Sequence, residues 1–178
     1  PMTLRVDRTI QRLIGEGLLG ELLAVEARVS TGFLDRDAPL HWRQDTEFSG
    51  RNIMSMGIWY EAIMRLVGPA TRVMAMTKVN VPRRKDESGV MRTISIPDHV
   101  NVLCEMACGA QADLSWSTTT GLQMGQELWL FGSEATIHLT GTPFTTIYGG
   151  RRGDKELTEI PIAEGMRGGW RVEEQFIN

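Results

Sequence analysis

One apolar stretch in the first half of the chain carries side chains that can orient a small polar ligand. Residues 49–68 are mostly apolar, yet they include Asn52, Ser55, Trp59, Glu61 and Arg65. Amide, hydroxyl and indole groups supply hydrogen bonds of defined geometry. If the stretch is one helix, the first three of these residues fall within about a 60° sector, and the last two fall on the opposite side.

Two interpretations of these residues remain open. Glu61 and Arg65 are spaced as an i,i+4 pair with the acid first, which is worth about 0.3–0.5 kcal/mol on an exposed helix surface. Structure alone explains that pair. For the other three, either Trp59 packs in the core and the polar pair supports the start of the helix, or the three line a substrate pocket. Apolar packing explains a tryptophan but not a neighbouring asparagine and serine.

The loop before this stretch offers further chemistry. Residues 31–48 show no apolar period, and connections longer than about 12 residues in compact domains are usually functional or disordered. Arg43 can hold a carboxylate or hydroxyl groups through its planar fork of donors. His41 can exchange a proton near neutral pH, although a histidine in a loop is more often simply exposed. His99 and His138 lie on predicted strands and are interpreted as surface or sheet residues.

These residues need a scaffold, and the apolar periods describe one. Residues 6–14 repeat at helical spacing, and residues 21–30 alternate as a half-buried strand. After the apolar stretch the pattern becomes β, with a charged loop at residues 82–89. Further strands are predicted at residues 71–81, 99–108, 111–120, 126–132, 135–141, 144–150 and 156–162. The sequence therefore predicts an α+β fold, a large mainly antiparallel open-faced sheet with helices on one face.

Composition excludes several classes of protein. The chain has 178 residues and a net charge of −3, from 19 basic and 22 acidic residues. One domain is expected at this length, and scattered basic residues make nucleic acid an improbable partner. No run of about 18 apolar residues is present, so we expect no membrane segment and a cytoplasmic location. Cys104 and Cys108 are interpreted as buried reduced thiols, and no ligand spacing predicts a metal site.

The glycine motif at residues 15–20 matches a phosphate-binding pattern, but the elements around it are in the wrong order for that function. The segment reads G-E-G-L-L-G, the pattern that cradles a dinucleotide pyrophosphate. That function requires a strand before the glycines and a helix after them, so that the N-terminus of the helix faces the phosphates. Here a predicted helix precedes the glycines and a strand follows. The glycines are therefore predicted to cap a helix and form a tight turn.

Several motifs occur in the order found in one protein family. "LIGEGLLGELLAVEARV", "HWRQD" and "SGRNIMSMGIWYEAIMRLVGPATRVMA" are followed by "PDHVNVLCEMACGAQADLSWS" and "LWLFGSEATIHL". Together they resemble the C-terminal domain of the Gfo/Idh/MocA family of NAD(P)-dependent oxidoreductases, over most of residues 8–140. In that family a G-x-(L/I)-G turn, a strand, a W-R loop and a glycine-rich helix ending in L-x-G follow one another.

The resemblance implies a division of labour between two domains. The chain is expected to be a single C-terminal substrate-binding and oligomerisation domain, residues 1–178, from a longer two-domain chain. NAD or NADP is expected to bind the absent N-terminal domain, which also carries the catalytic lysine of the family, and not this fragment. The substrate is expected to be a sugar, a polyol or a related hydroxy compound. The exposed sheet face is expected to pair subunits into a homo-oligomer.

The resemblance also assigns roles to the residues described above. With Gly57 as the anchoring glycine, the aspartate and histidine of the family motif fall on Ser55 and Trp59, so both acid-base groups are absent. Arg43 lies where the family places a residue near the substrate, and His41 is the imidazole expected to replace the lost acid-base group. The predicted substrate-binding residues are Arg43, Asn52, Ser55 and Trp59. The alternative is a non-catalytic binding or assembly protein of the same ancestry.

Overall fold

The computed structural model describes residues 4–51, 53, 56–123, 125–142 and 144–167. Among these residues the helices are α1 (Asp7–Gly15), α2 (Thr46–Ser49) and α3 (Met56–Val67). The strands are β1 (Leu22–Ser30), β2 (Ala70–Lys78), β3 (Arg83–Lys85), β4 (Met91–Thr93), β5 (His99–Met106), β6 (Gln111–Ser117), β7 (Gly125–Gly132), β8 (Ala135–Thr140), β9 (Thr146–Arg151) and β10 (Thr158–Glu159). None of the described helices is long and apolar enough to span a membrane.

Eight of these strands form one sheet, in the order β10-β9-β8-β7-β1-β6-β5-β2. The central strand β1 runs parallel to β6 and antiparallel to β7, whereas the other neighbours in this sheet are antiparallel. β3 and β4 form a separate hairpin. The predicted α+β class, with a large mainly antiparallel sheet, is confirmed.

The sheet has one covered and one open face because its strands alternate. Leu128, Leu130, Ile137 and Leu139 point to the covered side and are at most 1% exposed. Together with residues from α1 and α3, such side chains form one apolar core. Burying an aliphatic side chain of this size contributes about 1.5–3 kcal/mol, so the covered face dominates the stability of the domain.

The glycine motif forms the turn between α1 and β1, as the sequence predicts. Gly17 and Gly20 have φ angles of 76° and 65°, in the left-handed region that glycine adopts at little cost. A Cβ at Gly20 would also collide with the side chain of Ser133. The glycines therefore serve helix capping and close packing against the turn between β7 and β8.

Two predicted elements are corrected by the structure. Residues 49–68 are not one helix, because α2 ends at Ser49, Gly50 has a φ of 59° and a ψ of −142°, and α3 begins at Met56. That backbone conformation cannot continue a helix. The predicted charged loop at residues 82–89 contains β3 and the turn of the hairpin. There the Asp86 side chain accepts hydrogen bonds from the backbone amides of Ser88 and Val90.

The cysteines agree with the sequence in one respect and differ in another. Both are free thiols, as predicted. Cys104 is buried on β5, and its burial raises the pKa of the thiol. Cys108 is exposed, because it lies in the turn after β5 and not on the covered face. The prediction that both thiols are buried is wrong for Cys108.

Candidate functional site

The loop after β1 is held in place by one buried cation. Arg84 of β3 is 7% exposed, and its guanidinium donates hydrogen bonds of 2.7 Å to the carbonyl oxygens of Asp35 and Ala38. The amide of Leu40 donates to the carbonyl oxygen of Lys85 at 2.8 Å. A guanidinium has five donors in a rigid fork, so one side chain can fix two turns of a loop. The loop that carries the candidate residues is thus docked on the β3–β4 hairpin.

His41 is exposed and caps a short 3-10 helix at residues 42–44. Its Nδ1 accepts a hydrogen bond of 3.2 Å from the amide of Arg43, and its own amide donates to Gln44 Oε1 at 3.1 Å. A nitrogen that accepts a hydrogen bond carries no proton in the neutral ring, so the proton lies on Nε2. In this arrangement neutral His41 presents an N–H donor to solvent.

Arg43 is half-buried beside an exposed aromatic ring. Its guanidinium carbon lies 4.1 Å from the ring centroid of Trp42, a cation–π distance. Its Nε is buried and has no acceptor among the described residues. A buried donor without a partner costs about 1–3 kcal/mol, so an incoming acceptor would be stabilised there.

Trp59 lies on α3 and packs against the core, and the other two residues of the predicted sector lie outside the described residues. The Trp59 ring contacts Phe144 edge-on, with 5.3 Å between ring centroids. Asn52 and Ser55 are the two that are not described, so their predicted roles remain predictions. Among the described residues, no hydrogen bond or ring contact joins Trp59 to His41 or Arg43.

The charge of Arg65, on α3, affects the pKa of a carboxyl group on another helix, that of Asp7 on α1. Asp7 on α1 is 8% exposed, and its burial raises the pKa of the carboxyl group. The positive charge of Arg65 and a hydrogen bond with the backbone of Leu4 act in the opposite direction. The sequence predicts Glu61 as the partner of Arg65, but it does not predict an influence of Arg65 on α1, because it contains no signal for the contact between two helices.

A groove between the loop and the hairpin was not predicted. It has a volume of about 410 Å³, which is within the range of small-molecule sites. Trp42 and Phe48 are 52% and 79% exposed there. Asp45 and Arg92 also line it. The aromatic residues are visible in the sequence, but the opposite wall depends on the β3–β4 hairpin, which the charged sequence did not indicate.

A second cluster that the sequence did not indicate joins β5 to β6. His99 Nε2 lies 2.9 Å from the side-chain nitrogen Nδ2 of Asn101, and His99 Nδ1 lies 2.9 Å from Ser117 Oγ. Because an amide nitrogen only donates, Nε2 accepts and Nδ1 donates its proton to the serine. His99 therefore does not act as a base toward Ser117, and the cluster serves to stabilise the ends of the strands.

The described residues do not form a metal or dinucleotide site. Within them, no group of three histidine, cysteine, aspartate or glutamate side chains could hold a metal ion. The glycine motif does not fit a pyrophosphate, because a helix precedes it and a strand follows it.

Comparison with solved structures identifies several relatives of the fold. A Klebsiella pneumoniae NAD binding oxidoreductase has 20% identity and a TM-score of 0.74, over 85% of this chain and 42% of that one. Levoglucosan dehydrogenase in complex with NADH and L-sorbose has 17% identity and a TM-score of 0.76, over 88% and 46%. An Azotobacter vinelandii inositol dehydrogenase homologue with NAD+ has 18% identity and a TM-score of 0.70, over 91% and 42%.

The chain spans less than half the length of each of these relatives. A comparison with curated proteins gives no match. A sequence profile described as the GFO/IDH/MocA C-terminal domain matches residues 8–138, which is most of the chain. The match includes all five candidate positions and the first seven strands. The chain therefore belongs to the GFO/IDH/MocA family and carries its C-terminal domain.

Proposed function

We propose that this chain is the substrate-binding and oligomerisation domain of an NAD(P)-dependent oxidoreductase. The substrate would be a sugar, a polyol or a related hydroxy compound. Levoglucosan dehydrogenase and the inositol dehydrogenase homologue support this substrate class and the use of NAD or NADP. The cofactor would be bound by residues outside this chain, so the chain alone would not catalyse the reaction.

The unpartnered donor of Arg43 is the observation that carries the substrate-binding proposal. Its Nε is buried without an acceptor among the described residues, and its guanidinium carbon lies 4.1 Å from the centroid of the Trp42 ring. A hydroxyl or carboxylate oxygen of a substrate would complete this hydrogen bond. Trp59, Asn52 and Ser55 would line the same pocket from the region around the start of α3.

His41 would exchange a proton with the substrate. Because its Nδ1 is engaged by the Arg43 amide, the exposed Nε2 is the nitrogen available to the substrate. Neutral His41 would first act as a donor to the substrate oxygen. To accept a proton, His41 would have to release the Arg43 amide from Nδ1 and so give up its role as a cap. Otherwise the lysine expected in the other domain would act as the base.

The test uses the longer, two-domain protein that this proposal requires. We expect it to bind NAD(H) or NADP(H) and to reduce the cofactor with a polyol such as levoglucosan or inositol. Loss of the hydrogen bond in Arg43→Ala should raise KM by about 10- to 100-fold. Arg36→Ala is the matched control, because Arg36 lies in the same loop and, within the described part of the chain, donates to the Asn80 carbonyl oxygen. A longer protein that binds neither cofactor would overturn the proposal.

A second variant separates the two roles of His41. His41→Asn keeps a side-chain oxygen that can accept from the Arg43 amide, since asparagine is a good N-cap. It removes the titratable ring. We expect kcat to fall by about 10²-fold or more with stability unchanged. An unchanged kcat would exclude His41 as the acid-base group.

The packing of Trp59 favours a second candidate, a non-catalytic binding or assembly protein of the same ancestry. Trp59 stands where the family histidine is expected, and its ring packs on Phe144. An indole cannot accept a proton from a substrate hydroxyl. This candidate predicts that Trp59→Ala weakens a ligand or partner without changing any residual turnover, whereas the enzyme proposal predicts a change in KM.

Oligomerisation would use the open face of the sheet. Trp129 stacks on His138 with 3.6 Å between ring centroids, and Phe131 and Tyr148 extend the same row. Aromatic side chains are enriched at protein interfaces. In Trp129→Lys, the new charge would lie opposite Glu26 of the same sheet, so folding should tolerate it. Association through this face should be lost, as measured by sedimentation.

A further inference from the structure

The two edges of the sheet differ in their protection against pairing with another strand. The β10 edge has only two residues, Thr158 and Glu159, with charged residues before it and Pro161 soon after it. Short strands, charges and proline are the devices by which proteins prevent edge pairing. At the opposite edge, β2 runs for nine residues. An edge of this length has an open row of backbone donors and acceptors.

Among the described residues, no strand pairs with the outer edge of β2, and both of its faces are exposed. Every residue from 71 to 78 is exposed. Met74 and Met76 on the open face are 72% and 77% exposed, and Val73 on the other face is 64% exposed. The register partner of Val73 is Cys104, which is only 5% exposed. The covered face of the sheet is therefore buried at β5 but exposed at β2, the edge strand.

The sequence of β2 suits pairing with itself. If two copies run antiparallel with Met74 opposite Met74, all nine residues of each strand overlap. Val73 then faces Ala75, and Arg72 faces Met76. Directly opposed apolar pairs stabilise antiparallel strands, whereas like charges directly opposite destabilise them. In this register no residue of β2 faces a like charge.

The charges of β2 are also well separated in this arrangement. The two Arg72 residues are offset by four positions, which is about 13 Å along the strands. That separation exceeds the screening length of about 8 Å at physiological ionic strength. Each Arg72 is in addition paired with Glu105 of its own chain at 3.1 Å. Antiparallel self-pairing therefore adds apolar contacts and backbone hydrogen bonds with little repulsion.

We propose that the β2 edge pairs with the β2 edge of a second copy of this chain, antiparallel and centred on Met74, to form one continuous sheet. Such an isologous contact obeys two-fold symmetry and closes after two copies. Because residues of equal parity face each other, the open faces of both sheets lie on the same side. This contact is separate from the open-face association described above.

The experiment measures association by sedimentation in the Trp129→Lys background, in which the open face is blocked. We expect a dimer there. Met74→Glu places two carboxylates opposite each other and should weaken the dimer by about tenfold or more. Met76→Glu is the matched control, because it is equally exposed and would face Arg72 of the second copy. It should leave the dimer unchanged or tighten it.

Disulfide capture tests the register directly. In a Cys108→Ser background, Met74→Cys should form a cross-linked dimer on mild oxidation, since opposed Cβ atoms lie about 4.5–5.5 Å apart. Met76→Cys should not, because the two cysteines would be offset by four positions. A Trp129→Lys chain that is monomeric would overturn the edge contact and leave the open-face proposal standing. Equal weakening by Met74→Glu and Met76→Glu, or cross-linking of both cysteine variants, would overturn the register.

Discussion

The two faces of the sheet are built by the same strands and have different roles. Trp116 on β6 points into the covered face and is 1% exposed, whereas Trp129 on β7 points to the open face and stacks on His138. The covered face excludes water through contacts within the chain. The open face keeps aromatic rings and charges accessible. The same type of side chain is therefore buried in the core on one face and partly accessible on the other.

The largest effect should come from exchanging a tryptophan on the covered face. Trp116→Ala leaves a cavity in the core and should lower the free energy of unfolding by about 3–5 kcal/mol. Trp129→Ala, the matched control, should lower it by about 1 kcal/mol or less. Urea denaturation measures both values. Equal losses would mean that the two faces contribute alike to folding.

Gly132 tests how tightly the covered side is packed. A Cβ there would meet the carbonyl oxygen of Leu19, a backbone atom that cannot move without shifting the turn before β1. Gly132→Ala should therefore cost about 1–3 kcal/mol in urea denaturation. Gly57→Ala on α3 is the control, because nothing lies within 4 Å of its added Cβ. A cost similar to that of the control would show that this turn is free to shift.

The strands were predictable for the same reason that the two faces differ. Residues 99–106 alternate between buried and exposed positions because one face is covered and the other is not. The one-turn helix α2 was not predictable, because it lies at the end of a segment without an apolar period, and the late start of α3 shows only in the backbone conformation around Gly50. The β3–β4 hairpin depends on Asp86, which accepts from amides and from Arg92 Nε. The apolar pattern of the sequence does not indicate the turn of this hairpin.

The candidate site was predictable only in part. The sequence identified His41 and Arg43 as polar residues in a long loop. It did not reveal that Nδ1 of His41 is occupied or that Nε of Arg43 lacks an acceptor, because both depend on the three-dimensional course of the loop. The anchoring role of Arg84 was likewise hidden in a charged run. Tertiary contacts of polar groups leave little trace in one sequence.

Asp7, a buried titratable residue, should have a smaller effect on stability, and this effect should depend on pH. Burial raises the pKa of Asp7 above the ordinary value of an aspartate, so the folded chain holds this proton more tightly than the unfolded chain does. The stability contributed by Asp7 should therefore fall as pH rises from about 4 through the raised pKa. Asp7→Asn should remove this loss, giving a larger gain in melting temperature at neutral than at acid pH. A gain that is independent of pH would contradict this.

His138, on the open face, should also make stability depend on pH, in the direction opposite to that of Asp7. Burial lowers the pKa of His138, and the charge of Glu127 opposes that shift. Protonation below the ordinary pKa of 6.5 is therefore less favourable in the folded chain. Stability should fall as pH decreases through this range, and His138→Gln should reduce the fall. Melting temperatures between about pH 7 and pH 5 measure it, and the effect should be the smallest here because the ring is half-exposed.

The central position of β1 has a consequence for the order in which the chain becomes structured during synthesis. β1 lies between β6 and β7, so both of its neighbours come from residues 111–132. When β1 leaves the ribosome it has no partner, and nearly a hundred residues must follow before its second ladder can form. The hairpins β5–β6 and β7–β8 close over short distances and should form first. The middle of the sheet should thus be completed after these hairpins, although it begins near the start of the chain.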